Sequence, residues 1–305
     1  APEVDGDETL TFEVEVDDGN GGTDTDQVSI TVNDTDTDTE PSPSDFDGDG
    51  ILNENDPDDD NDGADDTVDH FAIDADNGTT TSPPVDLEFQ PDSQPNTILG
   101  VGFTGLMNNG TDYQDLYDPS EVTVDGAISF EVGNGDANSD DQRHGYQLGI
   151  DAPDQTFAVN TTVSGMPSSP TNYQLMGVQL GNGDQKNYLK LAVAANGGNG
   201  GVEFGKEEND TWTTDTAGDP AVLGPDTETE LSIVVDPSTN TAEGYYRVEG
   251  GDWTSTGITY DVPQSWLDAS DGTGTAVGLI STSVEAPSFN ATWQNLTVEK
   301  LNGGS

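Results

Sequence analysis

Residues 45–56 read Asp-Phe-Asp-Gly-Asp-Gly-Ile-Leu-Asn-Glu-Asn-Asp, with side-chain oxygens recurring at alternate positions. Asp45, Asp47 and Asp49 offer carboxylates, and Gly50 lets the chain turn sharply behind them. The Ile51 carbonyl, Asn53 and Asp56 follow at the spacing that closes a loop around one ion. Hard oxygens in that number suit Ca²⁺, which takes six to eight of them at about 2.3–2.6 Å. Thirteen residues on, the pattern returns as Asp58, Asp60, Asp62, Gly63, Asp66 and Asp69. Two copies in register are far rarer by chance than one, although a solvated acidic linker has a similar composition. Asp34, Asp36 and Asp38 alternate in the same way just upstream. The expectation is a Ca²⁺-binding stretch that is extended without the ion and a compact, stiff spacer with it.

Other chemistries are poorly supplied. Cysteine is absent and the only histidines are His70 and His144, which leaves no thiolate site and little basis for an imidazole one. No Gly-x-Ser-x-Gly, His-Glu-x-x-His or Gly-Lys-Ser/Thr loop occurs. The chain carries 61 Asp and Glu against 6 Lys and Arg, a net charge of −55. Nucleic acid and anionic lipid repel such a surface, and no apolar run is long enough to span a bilayer. Cations, neutral glycans and other proteins are the partner classes left. The near-replacement of Lys by Asp reads as adaptation to molar salt, where the Debye length is about 3 Å. The first residues lack a basic and an apolar region, so any signal peptide is expected to be already gone. Seven Asn-x-Ser/Thr sequons fit an extracellular or cell-surface protein.

A glycan site needs an aromatic platform beside amides and carboxylates. Trp212, Trp253, Tyr113 and Tyr117 stand in polar surroundings and are the candidates. Rings in such settings pack more often than they bind, and Trp293, inside a strand pattern, reads as core. Asp74–Gly78 and Asn182–Asp184 read as polar turns.

The elements that must hold these residues are strands. Leu10, Phe12, Val14 and Val16 alternate with polar residues, as do Val28, Ile30 and Val32, across a Gly-rich connector, which predicts a hairpin over 1–34. Period-two alternation recurs at 98–103, 127–132, 147–150, 157–163, 175–180, 188–193, 202–204, 231–235, 245–248, 277–280 and 296–301. Asp236–Asn240 reads as a hairpin loop and Ser265–Asp268 as a single helical turn. Many short strands and almost no helix predict an all-β antiparallel sandwich.

Three resemblances sharpen this reading. Val28-Ser29-Ile30-Thr31-Val32-Asn33-Asp34 is similar to the end of a cadherin-like or immunoglobulin-like repeat. The Asp tandem, with Asp where a bidentate Glu is usual and no flanking helices, resembles thrombospondin type 3 calcium repeats. That resemblance implies carboxylates shared between neighbouring ions around Asp56–Asp60. The stretch 156–301, from Phe157-Ala158-Val159 to Trp293-Gln294-Asn295-Leu296, resembles the concanavalin-A-like, laminin-G-like jelly roll, which implies two antiparallel sheets and, in many relatives, glycan or protein binding. The expected organisation is therefore a strand pair at 1–34, an acidic calcium linker at 35–69 and a jelly roll at 70–305. Glucanases on that fold carry Glu-x-Asp-x-Glu or Glu-x-Asp-x-x-Glu on one strand, and neither occurs within 70–305. The leading expectation is thus a non-enzymatic, calcium-stabilised structural or adhesive protein that forms a filament by adding its N-terminal strands to a neighbouring subunit, or docks them on an upstream immunoglobulin-like domain. The alternative is a carbohydrate-binding, lectin-like module of a larger secreted protein.

Overall fold

The computed structural model of the chain describes residues 8–17, 19–32, 45–89, 99–284 and 286–301. Asp34, Asp36, Asp38 and the acidic stretch up to residue 44 lie outside the described residues. The chain divides into two compact units, Ala1–Ser42 and Pro43–Ser305.

The first unit holds strands β1 (Glu8–Asp17) and β2 (Thr23–Val32), paired antiparallel. Their register sets Leu10 opposite Ile30 and Phe12 opposite Val28. The hairpin expected from the alternation is present.

The second unit contains β3 (Val85–Glu88), β4 (Gly105–Leu106), β5 (Val122–Val124), β6 (Ile128–Val132), β7 (Tyr146–Ile150), β8 (Phe157–Ser164), β9 (Leu175–Gly181) and β10 (Asn187–Ala194). It continues with β11 (Gly201–Glu208), β12 (Trp212–Gly218), β13 (Thr229–Asp236), β14 (Thr241–Val248), β15 (Thr254–Asp261), β16 (Thr275–Thr282) and β17 (Phe289–Lys300). One sheet has the order β12-β11-β10-β9-β16-β7-β4 and is called the front sheet. The back sheet has the order β15-β14-β13-β8-β17-β6-β5, with β3 also on β17. The two form an all-β, antiparallel sandwich of jelly-roll type. The only α-helical element among the described residues is the turn Gln264–Leu267.

Strand periodicity sends alternate side chains to the shared core. Leu189, Leu191 and Val193 of β10 meet Leu231, Ile233 and Val235 of β13 within one buried cluster. Trp293 of β17 is fully buried, stacks on Phe130 at 4.8 Å and donates its indole N–H to the Gly177 carbonyl at 2.9 Å. The front sheet is unusual in that β9 and β16 are buried on both faces. Loops cover its outer side and are pinned by buried glutamines. Gln185 Nε2 donates to the Met107 carbonyl at 2.9 Å, and Gln142 Nε2 to the Ser281 carbonyl at 2.7 Å. Gln147 Nε2 reaches the carbonyls of His70, Leu106 and Gly183 at 2.9–3.1 Å.

Two expectations are corrected. The alternation at 98–103 is a 3₁₀ turn at Leu99–Val101, because Gly100 and Gly102 interrupt it and Gly102 takes φ +108°, which bends the chain. The acidic stretch, over its described residues 45–69, belongs to the same compact unit as the sandwich and does not stand off as a separate spacer. Hydrogen bonds from Asn108, Tyr113 and Gln114 hold it there.

Candidate functional site

The Asp tandem folds as two turns with matching bonds. Gly50 N–H donates to Asp45 Oδ2 at 3.2 Å, and thirteen residues later Gly63 N–H donates to Asp58 Oδ2 at 3.0 Å. Ile51 N–H donates to Asp49 Oδ1 and Ala64 N–H to Asp62 Oδ1, both at 2.7 Å. Phe46 N–H donates to Asn53 Oδ1 and Asp59 N–H to Asp66 Oδ1, both at 3.1 Å. Asp56 and Asp69 each accept the N–H two residues on, at 3.2 and 2.8 Å. Gly50 and Gly63 sit at φ +93° and +101°, in the left-handed region that L side chains avoid, so these two glycines set the turn. Carboxylate oxygens of Asp45, Asp47 and Asp49 come within 4.8 Å of one another, as do those of Asp58, Asp60 and Asp62.

The electrostatics of the protein alone are unfavourable there. Asp45 Oδ1, Asp60 Oδ2, Asp66 Oδ2 and Asp69 Oδ2 are buried and accept no hydrogen bond. Burial, with neighbouring carboxylates, pushes Asp60 and Asp66 up to about 7 and Asp69 up to about 6. A hard divalent cation fits this donor set, since it would neutralise the cluster and take up the unpartnered oxygens. Ile51 and Leu52 are exposed at 45% and 47%, so neither side chain packs into a core.

The ladder docks on the sandwich through its backbone and one buried carboxylate. Asn108 Nδ2 donates to the carbonyls of Asp66 and Asp69 at 3.2 and 2.9 Å, and Gln114 Nε2 to the Asn53 carbonyl at 2.8 Å. Tyr113 O–H donates to Asp59 Oδ2 at 2.6 Å. Tyr113 is buried, and Tyr117 packs edge-on against Tyr146 at 5.8 Å, so neither ring is a surface platform. Tyr113→Phe leaves Asp59 short of a donor in a buried setting and is expected to cost about 1–3 kcal/mol. A fall in melting temperature of a few degrees would register it; an unchanged melt would mean the bond is not holding the ladder.

The outer side of the front sheet opens into a cleft of about 300 Å³ where β10, β11 and β12 are not roofed by loops. Trp212 lies half-buried along its floor, its ring 5.9 Å from Tyr188 and 4.5 Å from Lys190 Nζ. Lys190 is paired with Glu203 at 3.3 Å. A side chain at Gly205 would meet the Trp212 ring at 2.3 Å, so the absence of a Cβ there is what lets the indole lie against the sheet. The rim carries Tyr173, 62% exposed and held at φ +74°, a conformation uncommon for an aromatic residue. Asn172 and Asn196 stand beside it, with Asp136 and Asn138 also on the lining. Asn172 Oδ1 accepts the Gly197 N–H at 3.2 Å, tying the two rim loops together. Deeper along β11, burial pushes the Glu207 carboxyl up, with Tyr188 partly offsetting it. Sequence reasoning found Trp212 but not Tyr173, Lys190, Glu203 or the asparagines, which come from separate strands and loops.

A hollow of about 400 Å³ lies beside Arg143 and His144. Its imidazole lies between Phe130 and Tyr146, at 4.8 and 5.8 Å, and burial pushes it down to about 4. It is a neutral packing group.

No protein-family description and no curated protein matches the sequence. Solved structures do match. A variant of the GH43 protein BlXynB from Bacillus licheniformis aligns with 71% of this chain and 39% of its own, at 16% identity and a TM-score of 0.53. The xyloglucan PUL GH43B of Bacteroides ovatus aligns with 72% of this chain and 40% of its own, at 14% identity and a TM-score of 0.49. A xylan β-1,4-xylosidase from Bacillus halodurans aligns with 60% and 35%, at 16% identity and 0.48. The chain spans well under half the length of each.

The likeness at a TM-score of 0.53 corrects two expectations. The non-enzymatic filament protein is set aside, because the fold of the sandwich is found in a glycoside hydrolase of family GH43. The expectation that the chain is not an enzyme falls with it. It rested on carboxylate spacing along a single strand, whereas the cleft draws Asp136 from a loop and Glu203 from β11. No helix among the described residues is long and apolar enough to cross a membrane.

Proposed function

We propose that this chain is the glycan-recognising sandwich of an extracellular carbohydrate-active protein. The cleft over β10–β12 is its site, and Ca²⁺ in the Asp tandem is its scaffold ion. The observation that carries the reading is the floor and rim of that cleft. One indole is laid along a sheet by a glycine, a second ring is presented at the edge, and amides and a Lys–Glu pair lie between them. Sugar rings stack their C–H faces on aromatic surfaces and offer hydroxyls that amides and carboxylates bind in pairs. With a net charge of −55, the preferred chain is neutral. Neutral hemicelluloses and glucans are therefore the first polymers to try.

Asp45, Asp47, Asp49, Asn53, Asp56, Asp58, Asp60, Asp62, Asp66 and Asp69, with the Ile51 carbonyl, would hold the cations. The ions would neutralise a buried acidic cluster and fix the ladder against the loops that carry Asn108 and Tyr113.

The test is retardation of the protein in gels containing xylan, arabinoxylan, xyloglucan or mixed-linkage glucan, with Trp212→Ala beside it. Trp212→Ala is expected to weaken binding about tenfold while leaving the circular dichroism unchanged, as loss of one stacking contact does. Retardation by none of the polymers, or equal retardation of the variant, would refute the cleft as the site. The same polymers are assayed for released reducing ends. Release would add hydrolysis to recognition, and Glu203→Gln and Glu207→Gln would then be the first substitutions to examine.

A further inference from the structure

The geometry points to a second glycan-binding surface on the opposite side of the sandwich, on the outer face of the back sheet around Trp253. It shares the ligand chemistry of the cleft but uses none of its residues.

A groove of about 720 Å³ runs across β14, β13, β8 and β17, within the size range of small-molecule and oligosaccharide sites. Trp253, in the β14–β15 connection, is 44% exposed at its edge. The Arg247 guanidinium lies 4.7 Å from the ring centroid, and its Nε and Nη2 donate to the two Glu230 oxygens at 2.7 and 2.5 Å. That fork fixes the guanidinium plane against the indole, and Trp253, Arg247 and Glu230 line the groove together.

The floor matches a hydroxyl-rich chain. Strand register aligns Arg247 with Glu230 and Glu230 with Thr162, and in the next row Ser232 with Asn160 and Asn160 with Thr297. Strand alternation puts these side chains on the face away from the core, giving rows of hydroxyls and amides at the strand spacing of about 4.8 Å. The groove's one arginine is already paired, so nothing in it attracts an anion, and the net charge of −55 repels one. Ala158, Val234, Tyr245 and Leu301 line the groove beside the polar rows, apolar surface that the C–H faces of sugar rings can cover. A neutral polysaccharide segment, one ring on Trp253 and its hydroxyls along the rows, is the occupant the surface fits.

Calorimetry of the full chain with a neutral xylo- or gluco-oligosaccharide that binds in the gel assay decides it. Two sites per chain are expected, one weakened about tenfold in Trp253→Ala and the other about tenfold in Trp212→Ala, with both weakened in the double variant. Asn160→Ala, which keeps the indole, should weaken the second site several-fold and guards against a folding defect at the loop. One site in the parent, unaltered by Trp253→Ala and Asn160→Ala but weakened in Trp212→Ala, would overturn the second surface and leave the cleft standing. The converse pattern would retain this surface and refute the cleft. Preferential binding of polygalacturonate to the Trp253 face would overturn the ligand class.

Discussion

Chelation of divalent cations is expected to lower the melting temperature by roughly 10 °C at 0.15 M salt, with Ca²⁺ restoring it. A ligand present at about a thousandfold over its dissociation constant stabilises the folded state by about 4 kcal/mol per site. A domain of this size shifts by about 2–4 °C per kcal/mol. The origin of the effect is local. Asp45, Asp60, Asp66 and Asp69 each bury an oxygen with no donor, and the raised values of Asp60, Asp66 and Asp69 reflect burial first and like-charge neighbours second. Mg²⁺ should substitute poorly, since it insists on octahedral geometry and gives up water reluctantly. Asp66→Asn keeps the shape of the side chain, including an oxygen for the Asp59 N–H, but removes a charge, and should shrink the response to chelator. A melting curve indifferent to chelator and to Ca²⁺ would mean that the ladder is held by its docking contacts alone.

Gly205→Val is expected to abolish binding at the front-sheet cleft and to destabilise the protein by about 1–3 kcal/mol, the usual cost of forcing extra methyl groups into a packed site. The Cβ would lie 2.3 Å from the Trp212 ring, closer than any real contact. The indole has little room to retreat, with Tyr188 5.9 Å away on one side and Lys190 Nζ 4.5 Å from its centroid. It must lift into the cleft, so its fluorescence should shift to the red while glycan retardation falls to what the Trp253 surface alone supports. Gly133→Ala, at an exposed glycine with nothing within 4 Å of its Cβ, is the matched control and should change neither readout. Unaltered fluorescence and affinity in Gly205→Val would show that Trp212 does not depend on this contact.

Within the second unit, the strands visible in the sequence are those with neighbours on both edges. Phe157, Val159 and Val163 in β8, or Leu231, Ile233 and Val235 in β13, alternate because one face of each strand fills the core. The strands the alternation missed, β3, β4, β5, β12 and β15, lie at sheet margins or off the main path. β12, Trp-Thr-Thr-Asp-Thr-Ala-Gly, and β15, Thr-Ser-Thr-Gly-Ile-Thr-Tyr-Asp, are polar because an edge strand buries little and gains from not being sticky. The repeated acidic turn was legible because all its members lie within one local stretch. The cleft was not, because Asn172, Asn196, Lys190 and Glu203 meet only once the sheet order is known. Tyr113 and Tyr117 misled for a related reason. Their polar sequence neighbours say nothing of Asp59 or Tyr146, which bury them from elsewhere in the chain.

The two acidic turns repeat their internal bonds atom for atom at an interval of thirteen residues, and the bonds that close each turn come from within it. A unit that completes itself can be copied by tandem duplication of the gene without new compensating changes elsewhere. Growth on the side preceding Asp45 would leave Asn108, Tyr113 and Gln114 with their present partners. The length of this appendage is thus a quantity that evolution can vary in whole steps while the sandwich stays as it is.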